Sequence, residues 1–283
     1  MKEPVISLLT DFGIDDNYVG VMKGVMLNIL PETRFLDLTH QIPPQGVREA
    51  AYSLMTAFPY LPRGIVHLVV VDPGVGGARK AVAVESSQGS FIAPDNGVLS
   101  YLLPEIGDFR AVELNNPAYQ ISPVSSTFHG RDIFSPAAAH LAAGVALEEL
   151  GPPVENLVTL PRPRLVIEEG RIRGEILSVD HFGNLATSIS SLRWVGEDTL
   201  VLDPLWGTPE QIREPVHFSA AKSEVQVGDL NLKGIHSTFS SVELGEAVAL
   251  VGSDWTLDLS LNQGSLAREL DAAPGDPVTL IMG

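Results

Sequence analysis

The stretch Val66-His67-Leu68-Val69-Val70-Val71-Asp72-Pro73-Gly74-Val75-Gly76-Gly77-Ala78-Arg79 constrains the fold more than any other. It opens as an uncharged run rich in β-branched residues, the pattern of a strand buried on both faces inside a parallel sheet. Asp72-Pro73-Gly74 ends it, because proline cannot extend the ladder and glycine admits a positive φ. An acid therefore stands at the carboxyl end of a central strand, the edge of an open α/β sheet where ligands bind. Gly74, Gly76 and Gly77 keep the next loop free of side chains, so a ligand can come close to the backbone, and Arg79 returns a cation. Taken alone, the same residues also describe a strand, a glycine-rich turn and a surface salt bridge. No Gly-Lys-Ser/Thr follows, so this is not a Walker A loop.

The rest of the N-terminal half repeats the theme. Residues 5–10 form an expected strand that ends in Asp11-Phe12-Gly13 and then Asp15-Asp16-Asn17. Asn17 or Asp16 is placed to cap a helix over 18–30 whose apolar face carries Val21, Val25 and Ile29. A strand over 34–40, a proline-containing loop over 41–45 and a helix over 48–58 lead into the central strand. Strands follow over 81–85 and from Phe91 into Pro94-Asp95-Asn96-Gly97, then a short helix over 98–103. The polar cluster Ser126-Thr127-Phe128-His129-Gly130-Arg131-Asp132 stands before an alanine-rich helix that runs to about Gly144. Strands alternating with helices predict an α/β domain with a largely parallel sheet over 1–150.

Residues 151–170 are proline-rich and predict a linker. Over 171–283 short β-like runs alternate with Gly, Asp, Asn and Pro, which predicts a small all-β, barrel-like domain. Its polar clusters are Asp180-His181-Phe182-Gly183-Asn184, Ser253-Asp254 and Asn262-Gln263-Gly264. Each also suits an ordinary hairpin turn.

Composition narrows the partners. The 283 residues hold 18 Lys+Arg against 35 Asp+Glu, a net charge of −17. Phosphate binding needs a basic footprint, so no nucleic acid is expected. With no cysteine, thiolate catalysis, disulfides and Cys-based zinc sites are excluded. No signal-peptide pattern and no apolar run long enough to cross a bilayer stands out, so no membrane is expected and the cytoplasm is the expected compartment.

Six motifs in order now point to one family: Thr10-Asp11-Phe12-Gly13, Val71-Asp72-Pro73-Gly74-Val75-Gly76, Ala93-Pro94-Asp95-Asn96-Gly97, Thr127-Phe128-His129-Gly130-Arg131-Asp132, Asp180-His181-Phe182-Gly183-Asn184 and Leu261-Asn262-Gln263-Gly264. From about Ile6 to Ile281 the chain resembles the S-adenosyl-L-methionine hydroxide adenosyltransferases, the adenosine-forming SAM hydrolases related to the fluorinase and chlorinase. The resemblance implies attack of water on C5′ of the ribose, with SAM as substrate and neither cofactor nor metal. It implies a trimer in which the N-terminal domain of one subunit and the C-terminal domain of the next enclose the substrate. The catalytic set falls on Asp72, Arg79 and His129. Asp11 falls on the position that holds the ribose hydroxyls, and Asp16, Phe128 and Gly130 join the substrate-binding set. Asp180 and Ser253 match positions around the methionine moiety, and Phe182 and Asn184 positions around the adenine. Asn262 and Gln263 match a stretch whose backbone reads the adenine edge. Asp72 and Gly130 stand where the halogenating relatives carry an aromatic side chain and, in the fluorinase, a serine. Gln45 stands where an aromatic residue often flanks the sugar and base.

A sulfonium leaves readily, so the difficulty of this reaction is the nucleophile. One water must be held in line with C5′–S and its deprotonation eased. Asp72 is expected to position it, and Arg79 and His129 to polarise it, with the proton's destination open. Two alternatives remain open as well. Asp11, Asp15, Asp16, Asp72 and His129 could serve a metal-dependent phosphohydrolase, or the protein could bind SAM or adenosine as a sensor without turnover.

Overall fold

The computed structural model describes residues 3–207 and 214–283. They form two compact units, Met1–Leu160 and Pro161–Gly283.

The first unit is built on β1 (Val5–Thr10), β2 (Arg34–Thr39), β3 (Val66–Val70), β4 (Ala81–Ser86), β5 (Ser90–Pro94) and β6 (Phe109–Glu113). They make one sheet in the order β2-β1-β3-β5-β4-β6. β1 runs parallel to β2 and β3, and β3 parallel to β5. β4 is antiparallel to both its neighbours, so the expected strand over 81–85 is the one that interrupts the parallel order. Every residue of β3 is buried, as its uncharged run requires. Its alternating side chains feed two cores. Leu68 and Val70 face one with Ile6, Leu8, Met22, Phe134 and Leu141. Val69 and Val71 face the other with Leu9, Ala50, Leu54 and Phe91.

The helices α1 (Tyr18–Ile29) and α4 (Ser135–Ala142) cover the first face and α2 (Val47–Ala57) the second. The face of α1 differs from the expected one: Met22 and Met26 are its buried residues, while Val21, Val25 and Ile29 are half-buried. The long unbranched methionines reach deeper than valine can. Asn17 flanks this helix without a side-chain cap bond. The helix expected over 98–103 is instead a run of turns through Leu102, and helix α3 covers Leu103–Ile106 with proline in its first turn. This fits the tolerance of proline at helix starts.

Residues 151–165 carry no helix or strand, but β7 (Val166–Glu168) lies inside the stretch expected to be linker and pairs with β8 (Arg171–Val179). The second unit continues with β9 (Leu185–Ser190), β10 (Leu192–Trp194), β11 (Thr199–Leu202), β12 (Val216–Ser219), β13 (Glu224–Val227), β14 (Leu230–Lys233), β15 (Ala247–Val251), β16 (Thr256–Leu261), a short helix α5 (Leu266–Leu270) and β17 (Pro277–Ile281). The main sheet runs β14-β13-β17-β8-β9-β16-β15, all antiparallel, beside a three-stranded sheet β10-β11-β12. Past β14, the backbone of His236 bonds to Ala249 and Val251 of β15 at 2.8 and 3.2 Å, bringing the two edges together. The result is a barrel-like unit with few free edges.

Candidate active site

The register of the first sheet places two acids together. Thr10 of β1 pairs with Val70 of β3, so Asp11 and Asp72 both leave the carboxyl edge of adjacent parallel strands. α1 and α2 lie on opposite faces there, the crevice where open α/β sheets take ligands. Asn96, from the turn after β5, donates its side-chain amide to the carbonyl of Val71 at 2.9 Å and fixes the strand end just before Asp72.

The glycine-rich loop has a sharper reason than access for a ligand. Gly76 has a φ of +73°, and a Cβ there would lie 2.2 Å from the carbonyl oxygen of Ser126. The loop that carries Asp72 and Arg79 thus packs backbone to backbone on the loop that carries His129. Across this contact the three side chains meet. Arg79 Nε donates to both carboxylate oxygens of Asp72 at 2.8 and 3.0 Å, and Nη2 donates to Oδ2 as well. The same Nη2 lies 2.7 Å from His129 Nδ1. The pair is largely buried, with 10% of the Arg79 and 6% of the Asp72 side chain exposed. The guanidinium also lies 5.2 Å from the Phe134 ring centre.

Arginine has donors only, so His129 Nδ1 is the acceptor of that bond. The imidazole is therefore neutral, with its proton on Nε2. Burial and the Arg79 charge hold its pKa below the ordinary histidine value against the opposing charges of Asp72 and Asp132.

A cleft of about 340 Å³ opens on this group, lined among others by Asp72, Val75, Ser125, Thr127, Phe128, His129 and Gly130. Its far wall is aromatic: Phe12, Tyr18 and Phe128 pack edge-on or tilted with centroids 5.2–5.9 Å apart. Gly130 is buried, and a Cβ there would meet Met22 Sδ and Phe128 at 3.2 Å and Phe12 at 3.5 Å. Tyr18, Phe12 and Val75 escaped the sequence reading because apolar side chains next to a strand end look like core. The one available signal is that Phe12 and Phe128 both flank polar motifs.

Asp11 accepts the backbone N–H of Gln45 at 2.8 Å, and Gln45 takes a left-handed φ of 66° to offer it. So the position noted for its missing aromatic ring contributes its backbone to the loop that holds Asp11. Asp16 is exposed in the turn before α1 and is not among the residues that line the cleft. Among the described residues no three of His, Cys, Asp and Glu are grouped to hold a metal ion.

The second unit gathers the other sequence motifs into turns. Asp180 caps its own hairpin: its carboxylate accepts the N–H groups of Phe182 and Asn184 at 2.8 and 2.9 Å and the Asn184 side-chain amide at 2.7 Å. Gly183 has a φ of +85°, and a Cβ there would collide with Ser265. The hairpin lifts Phe182 into solvent, 72% exposed. Ser253 is exposed in the turn between β15 and β16. Asn262 spends its side chain on the carbonyl of Val242 at 2.9 Å and its backbone N–H on Glu246. Gln263 follows with a φ of 59°. Beneath the Asp180 turn, burial raises the Asp258 carboxyl to about 7, helped by the charges of Asp254 and Asp180 and opposed by a bond from Thr256.

Comparison with known proteins accounts for nearly the whole chain. Residues 6–151 match the SAM hydroxide adenosyltransferase N-terminal domain and residues 174–279 the corresponding C-terminal domain. An (R)-S-adenosyl-L-methionine hydrolase of Salinispora tropica is 40% identical, covering 99% of this chain and 98% of its own length. Another, from Thermus thermophilus, is 39% identical over 98% of this chain and 99% of its own. The crystal structure of an uncharacterized conserved protein from Thermotoga maritima matches with a TM-score of 0.84 at 34% identity, over 97% of this chain and 99% of that one. With both halves of the family model matched in order, and the acid, arginine and histidine of its motifs meeting at one strand edge, this chain belongs to the SAM hydroxide adenosyltransferase family.

Proposed function

We propose that this protein hydrolyses S-adenosyl-L-methionine at the ribose C5′, giving adenosine and methionine. The observation that carries the reading is the contact of Asp72, Arg79 and His129 on one cleft, with a neutral imidazole locked in a single tautomer. The activity in the names of the Salinispora and Thermus relatives supports it.

The chemistry follows from the donor inventory. The bond from water oxygen to C5′ forms as the C5′–S bond breaks, and the electron pair leaves on sulfur, which becomes the neutral thioether of methionine. No acid is needed for that departure. Arg79 has Nε and Nη2 engaged by Asp72 and His129, so it organises the site and neutralises its buried carboxylate. His129 offers Nε2–H as the donor that stabilises the forming hydroxide, an effect strongest away from bulk water. Asp72 orients the water and takes its proton. Among the three it is the only acceptor, because Nδ1 of His129 is already bonded.

Around this centre Asp11 takes the ribose hydroxyls, and Phe128 and Gly130, which line the cleft, bound the substrate. Asp180, Phe182, Asn184, Ser253, Asn262 and Gln263 are assigned to the methionine and adenine ends, supplied by a neighbouring copy in a homotrimer. The reaction runs without a metal or other cofactor, in the cytoplasm. The exposed Phe182 supports a contact outside its own hairpin.

The test is incubation of the EDTA-treated protein with SAM in ¹⁸O-water. Adenosine labelled at its 5′ oxygen is the expected product. Intact SAM recovered bound to the protein would overturn hydrolysis in favour of sensing. Activity that appears only when Mg²⁺ or Mn²⁺ is restored would overturn the metal-free reading.

A further inference from the structure

Asp132 touches neither the cleft nor the catalytic pair, yet it is a fully buried carboxylate. A buried charge persists only where it is paired and hydrogen-bonded. Its Oδ1 accepts Arg131 Nε at 2.6 Å, and its Oδ2 accepts Arg131 Nη2 at 2.9 Å and the backbone N–H of Ser125 at 2.8 Å. The carbonyl of Phe128 accepts the N–H groups of Arg131 and Asp132, both at 3.2 Å. One carboxylate therefore ties together the two ends of the loop that contains His129.

Both ends bear on the site. Ser125 precedes Ser126, whose carbonyl seats on Gly76 between Asp72 and Arg79. Arg131, oriented by Asp132, lies 5.3 Å from the Phe128 ring centre, and that ring forms the aromatic wall of the cleft. We infer that Asp132 is a positioning residue: by clamping Ser125 and Arg131 it sets the His129 imidazole against Arg79 and the Phe128 ring against the cleft. For its effect on turnover this rests on the hydrolase reading; for its effect on His129 it rests on the geometry alone. The charged groups around His129 are Arg79, Asp72 and Asp132, with Arg131 paired to Asp132.

The test compares the full-length parent with Asp132→Ala and Asp132→Asn by steady-state kinetics and by ¹⁵N spectra of the histidine rings, with His129 assigned through His129→Asn. Asp132→Ala is expected to lower kcat by roughly 10²-fold, the scale of a small misplacement of reacting groups, with KM changed only a few-fold. His129 should pass from a single Nε2–H tautomer to a mixture. Asp132→Asn keeps an acceptor for Ser125 and should restore the single tautomer and much of kcat. It removes an anion near His129, so the imidazole should titrate at lower pH than in the parent. Parental kcat with a single tautomer in Asp132→Ala would overturn the inference. So would equal losses in both variants with His129 unchanged, the mark of a structural role only. If the alanine variant does not fold, Arg131→Ala, which leaves the Asp132 carboxylate only its bond from Ser125, takes its place: mixed His129 tautomers support the clamp, and a single tautomer at parental kcat overturns it. If the parent makes no adenosine, the hydrolase reading falls while the tautomer result still decides this one.

Discussion

The central strand carries a histidine that no part of the chemistry uses, and it sets a measurable limit on acid stability. His67 is wholly buried in β3. Its ring stacks on Phe91 at 4.8 Å with an interplanar angle of 14°, and Phe58 meets it edge-on at 5.6 Å. Nδ1 lies 2.8 Å from the Ser7 hydroxyl, while Nε2 has no partner. A protonated ring there would be a desolvated cation between aromatic faces, so burial lowers its pKa from 6.5 to about 4. The folded state therefore prefers the neutral ring, and unfolding takes up a proton. The contribution is fully present above about pH 6.5, the unfolded value, and is lost as pH falls through about 4. At 1.36 kcal/mol per tenfold change in proton affinity, the gap is worth about 3 kcal/mol, with a slope of about 1.4 kcal/mol per pH unit inside the window. That is a large part of a typical net stability of 5–15 kcal/mol.

His67→Asn is the perturbation, because the amide can still pair with Ser7 but does not titrate. Urea unfolding at pH 7, 6, 5 and 4.5, followed by tryptophan fluorescence and circular dichroism together, gives the stability at each pH. At pH 7 the variant should be less stable by about 1–3 kcal/mol, from lost ring packing in the core. Between pH 6.5 and 4.5 the parent should lose stability more steeply than the variant, and the two curves should converge. Parallel curves across that window would refute the argument, since the acid sensitivity would then belong to other groups.

Three further outcomes follow from the site. Asp72→Asn should fold and should lose at least about 10²–10³ in kcat, the scale of one removed electrostatic partner in a water-excluded site; adenosine formation at the parental rate would remove Asp72 from the mechanism. Gly130→Ser should not by itself produce halide transfer to SAM and should lower the melting temperature, because the new Cβ meets Met22, Phe128 and Phe12; a parental melting temperature in differential scanning fluorimetry would show that the packing argument fails. His40→Ala should raise KM several-fold more than it lowers kcat. The substitution removes the 2.9 Å bond between His40 Nδ1 and the hydroxyl of Thr10, next to Asp11, while the backbone bond from Gly13 to the His40 carbonyl stays; an unchanged KM would separate the side-chain bond from ribose binding.

The parallel sheet and its central strand are legible in the sequence because β3 must be apolar on both faces. A glycine- and proline-marked turn then leaves no doubt where it ends. The α1 face is less legible, since valine and methionine alternate around much of its surface and only packing shows that the methionines point inward. Turns through Leu102 replace the expected helix because Ser100 and Asn96 spend their side chains on local backbone groups instead. The meeting of Asp72 with Arg79 follows from short spacing. The approach of His129, fifty residues further on, is a tertiary fact that no local pattern carries. The roles of Asn96 and Asp132 were hidden for a different reason. Both stand inside the quoted motifs, but Asn96 bonds to the carbonyl of Val71 at the end of another strand, and Asp132 to Arg131 and across its own loop to the N–H of Ser125; a sequence shows which side chains can bond but not to what.

The arrangement also explains why an acidic chain places a cation at the heart of its site. A carboxylate as buried as Asp72 needs a partner of opposite charge. The Arg79 fork bonds both of its oxygens, and the geometry is strict because the same Nη2 must also reach His129. Such a pair adds little net stability, since the desolvation of both ions offsets their attraction, whereas breaking it costs about 3–5 kcal/mol. Its presence is therefore better explained by what it holds in place than by what it contributes to folding. The glycines of the 74–77 loop belong to the same logic: only without a Cβ at Gly76 can the Ser126 carbonyl pack against that backbone and bring the histidine to the arginine. Gly76→Ala should accordingly weaken catalysis and stability together, through strain at a φ of +73° and displacement of the 125–129 loop. A variant that kept both would show that the two loops are joined by the side-chain triad alone.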